Sequence, residues 1–299
     1  MKFLLAGSSV EDYIYTDSGT LNQPGGIYYS SLGMLNLKDE EDNISILTCI
    51  SESQKHLFSD VYDNFSDGFF VKTDKIPVIH LYVEGEGERK ERYENIVKGL
   101  IPKDFDYSSL SEFDGILLNL ITGYEFSLTE IKKFRESTKA VIYLDVHSLS
   151  RPLKESGDRV FEKIIGFEEW LPCIDILQAN EFEFETLSEG NDEFEKAEKM
   201  LKSGVKIILL TLGNQGVRAF FLIEGEINSI YLPGLEVEQL NKVGCGDIFG
   251  VAFFFYFLKT LDLTTALKKA NAAGGLTASF TNRDNYKSLK QGIEKLINR

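Results

Sequence analysis

This sequence predicts an α/β fold around a mostly parallel sheet, and three observations carry the expectation. Short apolar runs rich in branched residues alternate with amphipathic segments, the pattern of strands joined by helices. The last third of the chain turns helical, over residues 248–258, 263–279 and 285–297. Two stretches, at about residues 13–22 and 77–95, interrupt the alternation and read as a small β sheet projecting from the main one. With 299 residues, 43% of them hydrophobic, the chain is long enough to bury most of its apolar surface. It is read as one domain over residues 1–299, with the small sheet inserted in it.

Strands are expected at residues 3–6, 44–50, 115–121, 141–145, 174–178 and 207–212, with helices filling the gaps. A helix over 26–35 follows a glycine pair. Another, over 127–134, opens on Ser127 with Glu130 at capping-box spacing. A third, over 194–202, mixes charges along its exposed face. The run Pro77-Val78-Ile79-His80-Leu81-Tyr82-Val83 is extended and leads through a charged turn into a second strand ending near Tyr93. Taken by itself this hairpin reads equally well as a solvated surface feature.

Composition excludes several classes. The 25 glycines and 6 prolines do not make a collagen-like or low-complexity chain, and the hydrophobic share is that of a globular protein. With 47 acidic residues against 32 basic, the net charge is -15, which argues against duplex nucleic acid as a partner. Cys49, Cys173 and Cys245 are too few and too scattered for a disulfide framework or a zinc site, so a reducing compartment is expected. The apolar run at the start is too short for a signal peptide. The one at residues 251–258 falls well below the ~18 residues that span a bilayer. The expected address is the cytoplasm, with no membrane contact. His56, His80 and His147 stand in unrelated contexts, and neither a Walker A pattern nor a paired-His zinc helix is present.

Chemistry concentrates at Asn241-Lys242-Val243-Gly244-Cys245-Gly246-Asp247-Ile248-Phe249-Gly250. Glycines lead straight into an apolar helix, whose first N–H groups and dipole make an anion hole without basic side chains. Asp247 competes with an anion there, so capping the helix is one reading of it. A dinucleotide fingerprint fails, because Gly250 is displaced by one position and no ribose-binding acid follows. Three other segments bear on the choice. The strand at 207–212 carries Thr211 and runs into Gly213 and Gly216, at a strand end where α/β sheets meet ligands. The strand before it runs on to Asn180 and Glu183, which read by themselves as an N-cap closed by a capping box. Near the start, Gly25-Gly26 precedes a helix and Asp12 follows the first strand.

Together these features resemble the PfkB (ribokinase-like) family of carbohydrate and nucleoside kinases, along the whole chain. The family signature Asp-Thr-x-Gly-Ala/Cys-Gly-Asp-x-Phe is similar to residues 241–249, its Thr-x-Gly-x-x-Gly turn to Thr211, Gly213 and Gly216, and its Asn-x-x-Glu to Asn180 and Glu183. The resemblance implies a ribokinase-like three-layer α/β/α sandwich with a small β lid. It also implies ATP-dependent phosphotransfer, with Mg²⁺, to a hydroxyl of a small metabolite, most simply a sugar. A nucleoside kinase is the alternative, suggested by Tyr28 and Tyr29, and a catalytically weakened nucleotide- or sugar-binding homologue is another. By the same resemblance Asp247 is the general base, and Gly244, Cys245 and Gly246 form the anion hole. Asn180, Thr211, Gly213 and Gly216 border the nucleotide, and Glu183 serves the metal. Asp12, Gly25, Gly26 and Arg151 meet the acceptor, and two lids pair into a homodimer.

The chain departs from the pattern at Asn241 and Lys242, where the family has Asp and Thr. An amide is a weak cation ligand, which argues against activation by a monovalent cation; the Lys242 ammonium would supply the missing charge. Asp145-Val146-His147-Ser148-Leu149-Ser150-Arg151 is similar to a family Asp-x-Asn-x-x-Arg stretch, with His147 in place of Asn and the arginine one place late. His147 reads as a hydrogen-bonded residue at a strand end rather than a base. Arg151 is the candidate for an acceptor's phosphate or carboxylate.

Overall fold

The computed structural model describes residues 1–16, 19–82, 90–155, 157–240 and 243–298. The expectations for Asn241, Lys242 and the hairpin tip at 83–89 therefore lie outside the described residues. Nine strands form the main sheet: β1 (Lys2–Gly7), β4 (Asn43–Ile50), β5 (Asp67–Lys72), β8 (Gly115–Asn119), β9 (Val141–Asp145), β10 (Ile176–Asn180), β11 (Ile207–Thr211), β12 (Gly216–Ile223) and β13 (Glu226–Pro233). Their order is β13-β12-β11-β10-β9-β8-β1-β4-β5. The seven strands from β5 to β11 are parallel, and β12 and β13 close one edge antiparallel. The inner parallel strands are buried on both faces, which is why their sequences run apolar without alternation.

Chain order reverses at β1. From there the path goes to β4 on one side, through helix α1 (Ile27–Leu37), and later to β8 on the other. Right-handed crossovers that travel in opposite directions place their helices on opposite faces. Thus α1 lies on one face, while α3 (Leu128–Ser137) and α5 (Glu193–Lys202) lie on the other. On the first face α1 packs with α6 (Cys245–Thr260), which packs with α7 (Leu263–Ala278), and α8 (Leu289–Ile297) completes the layer. Helix α6 is apolar all round because sheet strands β8 and β9 lie beneath it and helices flank it. Two single-turn helices, α2 (Ser59–Tyr62) and α4 (Glu181–Phe184), stand at strand ends. The mostly parallel sheet between two helical layers is the predicted α/β fold.

The second sheet has four strands in the order β3-β2-β6-β7: β2 (Ser9–Thr16), β3 (Gly19–Gly26), β6 (Val78–Tyr82) and β7 (Lys90–Glu94). Both of the interrupting stretches thus enter it, and β2 begins directly after β1. A small apolar cluster of Val10, Ile14, Ile79, Leu81, Tyr93 and Ile121 seats it on the main body beside the end of β8. No helix among the described residues is long and apolar enough to cross a membrane.

Candidate active site

Two cavities open at the C-terminal ends of the parallel strands, where an α/β sheet with a reversal of strand order is expected to bind ligands. The first, of about 320 Å³, lies between the small sheet and the ends of β8, β9 and β10. Asp12, Gly26, Tyr29, Arg151, Glu183 and Asp247 are among the residues that line it. The second, of about 490 Å³, lies over the ends of β10 and β11, against α6 and α7. Asn180, Thr211, Gly213, Gly216, Cys245 and Gly246 line this one, and Asn180, Thr211 and Gly246 border both. The N-terminus of α6 therefore stands at their junction, with Asp247 on the first side.

The entry to α6 is built from Gly244, whose φ of 80° is left-handed. A Cβ on Gly244 would stand 2.6 Å from the Tyr29 ring, so only glycine lets the chain turn this close to α1. Gly244 brings no side-chain cap to this end, where the first backbone N–H groups of a helix have no partner within the helix itself. Asp247 faces the cleft in that first turn, and Asn119 Nδ2, at the end of β8, donates to Asp247 Oδ1 across 2.6 Å. Gln178 of β10 ties the same turn to the sheet: its Nε2 donates to Gly246 O and to Asp145 Oδ2, each at 3.2 Å, and its Oε1 accepts from the Tyr143 hydroxyl. Burial pushes the Cys245 thiol up to about 11, which disfavours a thiolate there.

Asn180 caps α4, its Oδ1 accepting from Phe182 N and Glu183 N, while Glu183 Oε2 accepts from Asn180 N at 2.9 Å. The capping box read in the sequence is present, and it also aims the buried Glu183 carboxylate at the first cavity. Burial raises Glu183, and burial with the nearby Glu183 and Asp247 charges raises Asp145 well above the usual carboxylate range. Carboxylates crowded in this way fit a site that receives a cation. Among the described residues no three ligating side chains converge. Mg²⁺, which keeps much of its water and binds mainly through phosphates, does not require such a cluster.

Where the small sheet meets the first cavity, a Cβ on Gly25 would stand 2.0 Å from Asp12 Oδ2. Gly25 thus makes room for the buried Asp12 carboxylate and is not itself among the residues lining the cleft, whereas Gly26 is. Tyr29 lines the cleft and its hydroxyl accepts from Gln23 Nε2 at 2.7 Å. Its neighbour Tyr28 points into the core and donates to Asp60. His147 opens a 3₁₀ turn after β9 with a left-handed φ of 39° and also lines the cleft.

The sequence model of the pfkB family carbohydrate kinases matches residues 127–285, more than half of the chain and the part that carries α6 and both strand-end motifs. The chain belongs to this family. An ATP-dependent ribose-1-phosphate kinase from Halopiger xanaduensis is 31% identical over 127 residues, a match covering 42% of this chain and 38% of that protein. Among solved structures, a pyrophosphate-dependent kinase of the ribokinase family, complexed with a pyrophosphate analogue and myo-inositol, aligns with a TM-score of 0.75 at 20% identity, over 95% of this chain and 98% of the other. A ribokinase from Thermotoga maritima gives 0.75 at 19% identity, over 99% of each chain. The pfkB-family chain thus shares the ribokinase-like fold with both.

Several residues of this candidate site escaped sequence reasoning. Asn119 and Gln178 interrupt otherwise apolar runs, Ile116-Leu117-Leu118-Asn119-Leu120-Ile121 and Ile176-Leu177-Gln178-Ala179. A polar residue near the end of a buried parallel strand was the available signal. Glu91 and Tyr93 of β7, by contrast, reach the cleft only because the small sheet folds over it, which no local pattern announces.

Proposed function

We propose that this pfkB-family chain transfers the γ-phosphoryl group of ATP, with Mg²⁺, to a hydroxyl of a small sugar-type acceptor. The observation that carries the reading is Asp247, held by Asn119 in the first turn of α6 where the two cavities meet. In this mechanism the acceptor hydroxyl lies in the first cavity, bound by Asp12 and the Gly26 backbone. Its proton passes to Asp247 as the oxygen attacks phosphorus, and ADP departs into the second cavity. The N–H groups of Gly244, Cys245 and Gly246 stabilise charge on the transferring group, where preorganised dipoles count most. Mg²⁺ would be held chiefly by the phosphates, with Glu183 and Asn180 reaching it through water, and would neutralise phosphate charge.

The donor reading rests on the second cavity. Leu235, Val237, Phe249 and Ala278 give it an apolar wall, which a nucleobase uses and pyrophosphate does not. A nucleoside acceptor is the second reading, favoured by the aromatic rings of Tyr29, Tyr93 and Phe161 around the first cavity. The proposal includes a cytoplasmic address. It also includes a homodimer through the small sheet, whose outer strand β3 exposes Leu21; light scattering on the purified protein tests that part. The function is tested by ADP release with Mg-ATP against a panel of sugars, polyols and nucleosides. Turnover with a member of the panel supports it. Ligand-induced thermal shifts with no turnover on any member would favour a binding protein instead.

A further inference from the structure

Among the described side chains lining the acceptor cleft there is one arginine, and it is already engaged. Arg151 follows the 3₁₀ turn at the end of β9, and its Nη2 donates to Glu91 Oε2 across 3.1 Å. Glu91 belongs to β7, so the pair joins the small sheet to the main body. Both side chains are withdrawn from water, at 17% and 8% exposed. The Tyr93 hydroxyl donates to the same Glu91 oxygen at 2.8 Å. A second arginine, Arg159, stacks on the Tyr93 ring with 3.9 Å to its centroid. It donates to Arg151 O and Thr122 O, supporting the strand without lining the cleft. The remaining carboxylates of the lining are Asp12, Asp145, Glu183 and Asp247.

We propose that the Glu91–Arg151 pair sets acceptor class, admitting uncharged polyhydroxylated acceptors and rejecting phosphorylated or carboxylated ones. The inference rests on the kinase reading above and deepens it. An anionic acceptor needs a cation with charge to spare, and Glu91 neutralises Arg151 where little water screens the pair. To bind, the anion must break the buried Arg151–Glu91 ion pair, or lie beside Glu91 and near Asp12 as a like charge. An uncharged diol meets neither cost, because its hydroxyls accept from the guanidinium and donate to the carboxylate. Rejection built from a repulsive group is one of the two ways a site separates otherwise similar ligands.

The test uses matched pairs, ribose with ribose 1-phosphate and fructose with fructose 6-phosphate, with Mg-ATP and ADP release as readout. Wild type should prefer the uncharged member in kcat/KM by about tenfold or more. Glu91→Gln keeps the shape and an oxygen for Tyr93 while removing the charge, and it should move the ratio about tenfold toward the ester. A wild type that prefers the esters, or a folded Glu91→Gln protein with an unchanged ratio, overturns the proposal. If that variant does not fold, the wild-type ratio alone decides. If wild type turns over no acceptor, the kinase reading fails separately, and calorimetric binding of the same pairs still reads the charge preference.

Discussion

Asn119 gives Asp247 an orientation that helix geometry alone does not. Its amide must present nitrogen to the carboxylate, so its Oδ1 is turned into a buried place where it has no hydrogen-bond partner among the described residues. A buried acceptor left unsatisfied is costly, which points to a positional role for the pair. Asn119→Leu should lower kcat about tenfold with a much smaller change in acceptor KM, because it loosens the proposed base rather than the binding surface. Steady-state kinetics on the best acceptor checks this. Asn119→Asp should instead move the acid limb of the kcat–pH profile upward by about one unit. A second carboxyl beside Asp247 disfavours its ionised form, and only that form takes a proton. Unshifted limbs with normal kcat would remove Asn119 from the mechanism.

Helix α6 and its glycine entrance are the element on which the site depends. Gly244→Ala adds a Cβ 2.6 Å from the Tyr29 ring at a left-handed φ, so the first turn must shift. The expected result is a loss of about 1–3 kcal/mol in denaturant unfolding and a drop of at least about a hundredfold in turnover as the N–H groups lose alignment. At this scale much was legible in advance. The six expected strands appear within a few residues of their expected ends, as do the capping boxes at Ser127/Glu130 and Asn180/Glu183. Strands β5, β12 and β13 were not. Asp67-Gly68-Phe69-Phe70-Val71-Lys72 is a half-exposed edge whose apolar run is only three residues long, and the antiparallel pair mixes Arg218 and Asn228 into its pattern. Edge and antiparallel strands carry less burial, and hence a weaker signal, than strands sandwiched between helices. The expected residues that line the two cavities were read from motifs at strand ends and helix starts. Asn119 and Glu91 did not, because their roles arise from contacts 128 and 60 residues away in sequence.

Across the whole molecule, one charged cluster joins the loop before β4 to the ends of α6 and α8. Lys259 Nζ contacts Asp42 Oδ1 and Asp39 Oδ2, each at 2.8 Å, and Lys290 reaches Asp39 Oδ1 at 2.7 Å; the Asp42 side chain is fully buried. Hydrogen bonds from Lys259 and Lys290 bring Asp39 down to about 2. Although burial works against it, the bond from Lys259 holds Asp42 below its ordinary value as well. Carboxylates depressed in the folded state contribute stability that is fully present above the unfolded value near 4 and is lost as pH falls toward about 2. Lys259→Met should therefore cost about 1–3 kcal/mol at pH 7, with the gap to wild type closing as pH falls through that window. Denaturant melts at several pH values read the difference. Above this scaffold, the reversal of strand order at β1 and the folded-over small sheet bring Asp247 into the first cavity, beside its junction with the second. The most direct test of that arrangement is the turnover of Asp247→Ala on the best acceptor, measured beside its calorimetric affinity for ATP. Turnover should fall by roughly 10²–10⁴ while ATP affinity is kept; turnover within a few-fold of wild type would contradict the assignment of the base.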